Sequence, residues 1–247
     1  MKKHSDDLLI GFHSVIEAIK ANKTIDKILI KKGLTGDLFQ ECLQLIREQR
    51  LNFQYVPIEK LNRITRTNHQ GIIAFSTSIT YYDITNLLPS VYEAGRDPFI
   101  LLLDGITDVR NFGAIARTAE AAGVDALVIA ARKSVSVSAD AIKTSAGALT
   151  RIPVCKVDSI PETIRFLQQS GIKVYGATEK AGLNYFEQVF HGPAAIVMGS
   201  EDTGISEAVL KRTDALVKIP MMGEIASLNV SVASGILLFE VLKQRLG

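Results

Sequence analysis

Three short stretches of this chain hold residues whose types and spacing could do chemistry. The first is "LDGITDVRNFGAIARTAEAAGVDALVIA", Leu103–Ala130, which reads as strand end, loop, helix and second strand. Arg117 falls mid-helix, with Gly113, Ala114 and Ala121 as its i−4, i−3 and i+4 neighbours, so this long cation sits on a small-residue face. A guanidinium keeps its charge and offers five donors. Such a group could serve as a catalytic guanidinium. The alternative is an Arg117–Glu120 pair on a solvated face, an interaction worth little. Asn111 is placed to cap this helix, its side-chain oxygen accepting from a first-turn N–H.

The second stretch is "VMGSEDTGIS", Val197–Ser206, in which Gly199 and Gly204 bracket Glu201. Glu201 could hold Arg117 or Asn111 by a charge-assisted hydrogen bond, or be an ordinary acid beside a turn. The third is "IPMMGEIASLNVSVASGILLFEVL", where Ile219 and Pro220 end a strand and Ser227 or Asn229 opens a helix. Ser227 and Asn229 either meet a ligand or only cap that helix. The side chains of Ile219 and Leu228 read as ordinary core. Neither a G-x-G-x-x-G fingerprint nor a P-loop is present, which removes the main sequence support for a nicotinamide dehydrogenase. What remains is three backbone-rich loops able to surround a flat, polar ligand.

The elements that must position these loops have a clear pattern. From Phe99 onward, apolar runs "FILLLD", "ALVIA", "RIPVCKV", "KVYGAT", "AAIVMG" and "ALVKIP" alternate with helix-like segments. Continuous apolar strands alternating with helices predict a parallel sheet covered on both faces, with ligands beyond the carboxyl ends of its strands. Upstream, "LIGFHSVIEAIKANK" and "DLFQECLQLIREQRL" read as helices, "KILIKK", "NFQYVPI" and "HQGIIAFST" as strands, and "EKLNRITR" as a further helix. The fold class is therefore α/β in two domains. Residues 1–78 form a small α/β domain, 79–98 a linker with one helix, and 99–247 the parallel-sheet domain.

Composition narrows the class. The 247 residues are 47% hydrophobic, ample for a core, yet none of the apolar runs reaches the roughly 18 residues of a membrane span. The N-terminus lacks the apolar stretch of a signal peptide. Cys42 and Cys155 are isolated, and the four histidines lack metal-ligand spacing, so a cytoplasmic protein needing no metal is expected. Net charge is only +2, but it is uneven. Residues 1–78 carry 12 Lys+Arg against 8 Asp+Glu, net +4, and the remainder 16 against 18, net −2. A basic amino-terminal part fits docking to a polyanion, although ordinary surface variation gives the same split.

Taken in order, the three stretches resemble the three motifs of the SpoU family of RNA ribose 2′-O-methyltransferases, within the class of knotted methyltransferases. Asn111, Gly113, Arg117 and Thr118 match the first motif. Gly199, Glu201 and Gly204 match the second, and Ile219, Pro220, Ser227, Leu228 and Asn229 the third. "IGFHSVIEAI" and "HQGI" resemble the family's ribosomal-protein-like substrate-binding domain. The resemblance implies a deep trefoil knot, S-adenosylmethionine as donor, and a homodimer formed through the carboxyl-terminal domain. It implies Arg117, Asn111, Glu201, Ser227 and Asn229 as catalytic residues, and Gly199, Ile219 and Leu228 as backbone positions that hold the donor. "LDGITD" and "MGEIASLNVSVASGILLFE" look closest to the branch that modifies a guanosine of large-subunit ribosomal RNA, with tRNA as second choice. A non-catalytic RNA-binding or ribosome-assembly protein is the alternative. One departure is Val109, where the family usually has proline.

Overall fold

The computed structural model describes residues 8–49, 51–77, 79–132, 134–224 and 227–247. The chain divides into two compact units, Met1–Thr80 with Ser136–Asp140, and Tyr81–Val135 with Ala141–Gly247.

The first unit runs β1 (Leu8–Ile10), α1 (Phe12–Lys20), β2 (Ile25–Lys31), α2 (Asp37–Glu48), β3 (Phe53–Val56), α3 (Ile58–Ile64) and β4 (Ile72–Ser76). Its four strands lie in the order β1-β4-β2-β3, with β2 parallel to β3 and antiparallel to β4. The period of two along β2 decides which core each residue joins. Ile28 and Ile30 pack with Val15 and Ile19 of α1 and Cys42 and Ile46 of α2. Leu29 packs with Val56, Leu61 and Ile73 in a second cluster. The expected helices and strands are present. The short strand β1 was not legible, because three residues are too few for a period to show.

The second unit, to which α6 belongs from Ala141 onward, continues with β5 (Tyr81–Tyr82), α4 (Ile84–Glu93), β6 (Phe99–Asp104), α5 (Val109–Ala121), β7 (Ala126–Ala130), α6 (Ala139–Thr144) and β8 (Val154–Val157). It ends with α7 (Ile160–Gln169), β9 (Lys173–Ala177), β10 (Leu183–Asn184), β11 (Ala194–Gly199), α8 (Glu207–Leu210), β12 (Ala215–Lys218) and α9 (Val230–Leu246). Eight strands form one sheet in the order β10-β12-β9-β11-β6-β7-β8-β5, and every pairing is parallel. All six residues of β11 are buried, as a strand covered on both faces requires. Leu88 of α4 and Ile164 and Leu167 of α7 pack on Ile100, Leu102, Val128 and Val197. α9 lies against α5 and β11. The segment read as linker contains the expected helix, α4, capped by Asp83, and also β5, which adds to the sheet beside β8.

One feature of this sheet locates the ligand-binding end. β6 and β11 are neighbours, and the chain leaves them in opposite directions, through α5 to β7 and through α8 to β12. Such a switch point opens a crevice at the carboxyl ends of the strands.

Candidate active site

The first loop leaves β6 at Asp104, whose Oδ2 accepts from the backbone N–H of Ser206 at 2.7 Å and so ties the first loop to the second. The cap of α5 is Asp108, not Asn111. Its Oδ1 accepts from the N–H of Asn111 at 2.8 Å. The helix starts three residues earlier than expected, which leaves the Asn111 side chain free to reach elsewhere. Val109 occupies the first helical position. Proline suits that position because its missing N–H would be unpaired there anyway. Valine therefore keeps both the helix start and its cap.

The second loop is a tight turn closed by two backbone hydrogen bonds between Ser200 and Gly204, with Thr203 N–H donating to Ser200 Oγ at 3.2 Å. Gly199 permits this return. A Cβ there would stand 2.1 Å from Gly204 C and Ile205 N, closer than any real contact. Gly204 takes a φ of +66°, which suits a residue without a Cβ. The turn presents Glu201 towards the start of α9.

In the third loop Asn229 is the N-cap of α9, its Oδ1 accepting from Ser231 N–H at 3.0 Å. Its amide nitrogen donates both to Asn111 Oδ1, at 3.0 Å, and to Glu201 Oε1. Glu201 Oε1 also accepts from Val230 N–H at 3.3 Å, so a carboxylate sits at the positive end of the helix dipole. The structure thus joins one residue from each motif through Asn229. The expectation that Glu201 holds Arg117 or Asn111 is corrected: among the described residues it bonds Asn229 and the α9 backbone instead, and Asn111 is reached only through Asn229.

Arg117 is exposed on α5 and makes no hydrogen bond or ion pair among the described residues. Glu120, the partner that a surface pair would need, faces Arg151 at 3.7 Å. Gly113 is not an opening beside Arg117. It is buried, and a Cβ on it would stand 2.7 Å from Thr144 Cβ and 3.0 Å from Ser145 N. Its small size serves the close packing of the Thr144–Ser145 segment on α5.

A cleft of about 450 Å³ lies over the carboxyl ends of β9, β11 and β12. Gly199, Ile219 and Leu228 line it together, with Glu201 and Ser227 at the same walls. Ile219, Met221 and Leu228 supply apolar surface, and Thr178, Glu179 and Asp202 supply hydroxyl and carboxylate groups. This mixture and size fit a flat ligand with polar edges and a cationic centre. Thr178, Glu179 and Lys180 were missed by sequence reasoning. The rule that directed attention to strand ends applies equally to "KVYGATEK", whose last residues follow β9.

The SpoU rRNA Methylase family matches residues 98–239, and the RNA 2′-O ribose methyltransferase substrate binding family matches residues 8–82. This is a parallel-sheet methyltransferase architecture with an amino-terminal substrate-binding unit. The chain belongs to the SpoU family, whose fold is knotted. A protein of the TrmH family of tRNA/rRNA methyltransferases from Staphylococcus haemolyticus is 37% identical, covering 97% of this chain and 96% of that one. YacO of Bacillus subtilis, of the same TrmH family, is 34% identical over the same shares. Among solved structures, an RNA 2′-O ribose methyltransferase is 28% identical with a TM-score of 0.57, covering 97% of this chain and 89% of its own. The SpoU methyltransferase AviRb from Streptomyces viridochromogenes, in complex with AdoMet, shares the fold with a TM-score of 0.61 at 23% identity, covering 97% and 90%.

Proposed function

We propose that this protein transfers a methyl group from S-adenosylmethionine to the ribose 2′-hydroxyl of a guanosine in large-subunit ribosomal RNA. The observation that carries this reading is the convergence of Asn111, Glu201 and Asn229 beside a cleft lined by Gly199, Ile219 and Leu228. S-adenosylmethionine supplies a methyl already activated on a cationic sulfur. The chain has to hold that donor, present the hydroxyl and stabilise the charge that develops on it.

Backbone groups of Gly199, Ile219 and Leu228 hold the donor against the apolar wall, and Glu179 and Asp202 favour its positive charge. The Asn229 bridge fixes Glu201 and Asn111, and Ser227 contributes a hydroxyl at the cleft wall. Arg117, exposed and without an ion pair among the described residues, orients the ribose hydroxyl and the adjacent phosphate and stabilises the forming oxyanion. It does not serve as the base, since a guanidinium yields its own proton with great difficulty; a phosphate oxygen or water accepts the proton that leaves the 2′-hydroxyl. Positioning of this kind can supply up to roughly 7–11 kcal/mol of the barrier reduction.

The working form is a homodimer through the second unit. On α9, Val232 and Phe239 are 51% and 48% exposed, an apolar surface that a second copy would cover. Residues 1–78, with their net charge of +4, dock the RNA. The test is transfer of tritiated methyl to unmodified large-subunit RNA, followed by mapping of the nuclease-resistant linkage. Saturable donor binding and a single modified guanosine are expected. Absence of donor binding by calorimetry would favour a non-catalytic RNA-binding protein.

A further inference from the structure

The first unit contains a second cleft, of about 490 Å³, between the end of β2 at Lys31 and the loop 65–71 that leads into β4. The loop is held by its own side chains. Thr67 N–H donates to Thr65 Oγ1 at 3.1 Å, Gln70 N–H to Asn68 Oδ1 at 3.2 Å, and Gly71 N–H to His69 Nδ1 at 3.0 Å. His69 is buried, and its Nε2 lies 2.9 Å from Asn62 Oδ1. Because Nδ1 accepts from Gly71, the ring proton sits on Nε2 and is given to Asn62. Gly71 has a φ of +91°, and a Cβ there would meet Leu34 Cδ1 at 2.8 Å. The loop is therefore set before any ligand arrives.

These internal bonds determine what the cleft can still offer. The side-chain oxygens of Thr65, Asn68 and Asn62 each already accept from a backbone or ring N–H, which uses one lone pair of each, while the Thr65 hydroxyl proton and both amide NH₂ groups make no hydrogen bond among the described residues. Lys31 and Arg66 add two cations that make no ion pair among the described residues. Among the described residues, none that lines the cleft is Asp or Glu. A rigid cleft that presents donors and positive charge is complementary to an anionic ligand rich in acceptors, and its volume lies in the range that takes a small ligand. Arg in particular matches phosphate geometry.

We propose that this cleft is a subsite for one unpaired nucleotide of the RNA, with Arg66 and Lys31 on its phosphodiester and the amides of Asn62 and Asn68 on the acceptor edge of its base. The proposal rests on the reading that the protein acts on RNA. It goes further by assigning a built site in place of diffuse attraction.

The test is binding of the full-length protein to unmodified transcripts of large-subunit RNA across a salt series. The comparison is between Arg66→Glu, at the cleft, and Lys23→Glu, an exposed residue of the same unit before the other end of β2. Arg66→Glu should weaken binding by about tenfold or more and lower the salt exponent by about 0.7–0.9, the value for one lost phosphate contact. Lys23→Glu should change affinity less than about twofold, and both should keep wild-type melting temperature and donor affinity. Arg66→Lys should recover part of the loss. Equal weakening by the two reversals, with wild-type binding intact, overturns the subsite and leaves the RNA reading standing. If the wild type binds no RNA, both readings fail.

Discussion

Asn229 donates through its amide nitrogen to Asn111 Oδ1 across 3.0 Å, although 118 residues separate the two in the chain. The same nitrogen reaches Glu201 Oε1, while Asn229 Oδ1 caps α9. One side chain therefore caps a helix and also connects two other loops. Substitutions separate these tasks. Asn229→Ser keeps a capping oxygen but deletes the amide. Asn229→Ala deletes both and should cost about 1 kcal/mol in urea unfolding from the cap alone. Activity should fall alike in the two variants, and a double-mutant cycle with Glu201→Gln should be strongly non-additive. If Asn229→Ser retains wild-type turnover, the bridge has no catalytic role.

Arg117 makes no ion pair among the described residues, so its removal leaves no orphaned partner charge. Arg117→Ala should therefore melt within about 0.5 kcal/mol of wild type, as a surface substitution does. Methyl transfer should fall by at least about 10²–10³-fold, the typical effect of losing one oxyanion donor. Donor affinity, measured by calorimetry, should hardly change. Wild-type turnover in this variant would remove Arg117 from the mechanism.

The strands of the second unit were legible because their uninterrupted apolar runs can be buried only in a sheet covered on both faces. The rule that ligands gather at strand ends then identified the loops around Asp104, Gly199 and Ile219, and Ile219 and Gly199 do line one cleft. Local spacing could not supply partners across loops. Asn111 looked like a cap because a helix start is hard to place within three residues by spacing alone, and Asp108, three residues earlier, takes the cap. Gly113 looked like an open approach because periodicity counts neighbours within a helix, whereas its role is set by Thr144 and Ser145 from another segment. The two-residue strands β5 and β10 owe their conformation to the neighbouring strands they pair with, so no window of sequence contains their signal.

Gly199→Ala tests the close approach in the second loop. The clash would be with the backbone of Gly204 and Ile205, which cannot swing aside as a side chain can. Overpacking of this kind should cost about 1–3 kcal/mol or more. It should also displace the turn that carries Glu201, so donor affinity falls together with stability. Gly182→Ala is the matched control, since nothing lies within 4 Å of a Cβ there. It should unfold within about 0.5 kcal/mol of wild type.

Each unit buries one thiol, and both resist ionisation. Burial, with Glu41 adding, pushes Cys42 up from 9.0 to about 11, and burial, with Asp83 adding, pushes Cys155 up to about 12. A folded-state value above the unfolded one means that the native protein holds its thiol protons after the unfolded chain has begun to lose them. The associated stability is complete below pH 9 and declines as pH rises from 9 through 11 and 12. Urea midpoints should therefore be flat, as far as these groups are concerned, up to pH 9 and then drop. Tyr92 and Tyr175, also raised chiefly by burial, add to the decline from pH 10 upward. The thiol share is the part lost in a Cys42→Ala, Cys155→Ala double variant, whose midpoint should fall less steeply between pH 9 and 11. A disulfide reagent at pH 8 should label neither cysteine in the native protein and both in urea. Rapid native labelling of either one would contradict its burial.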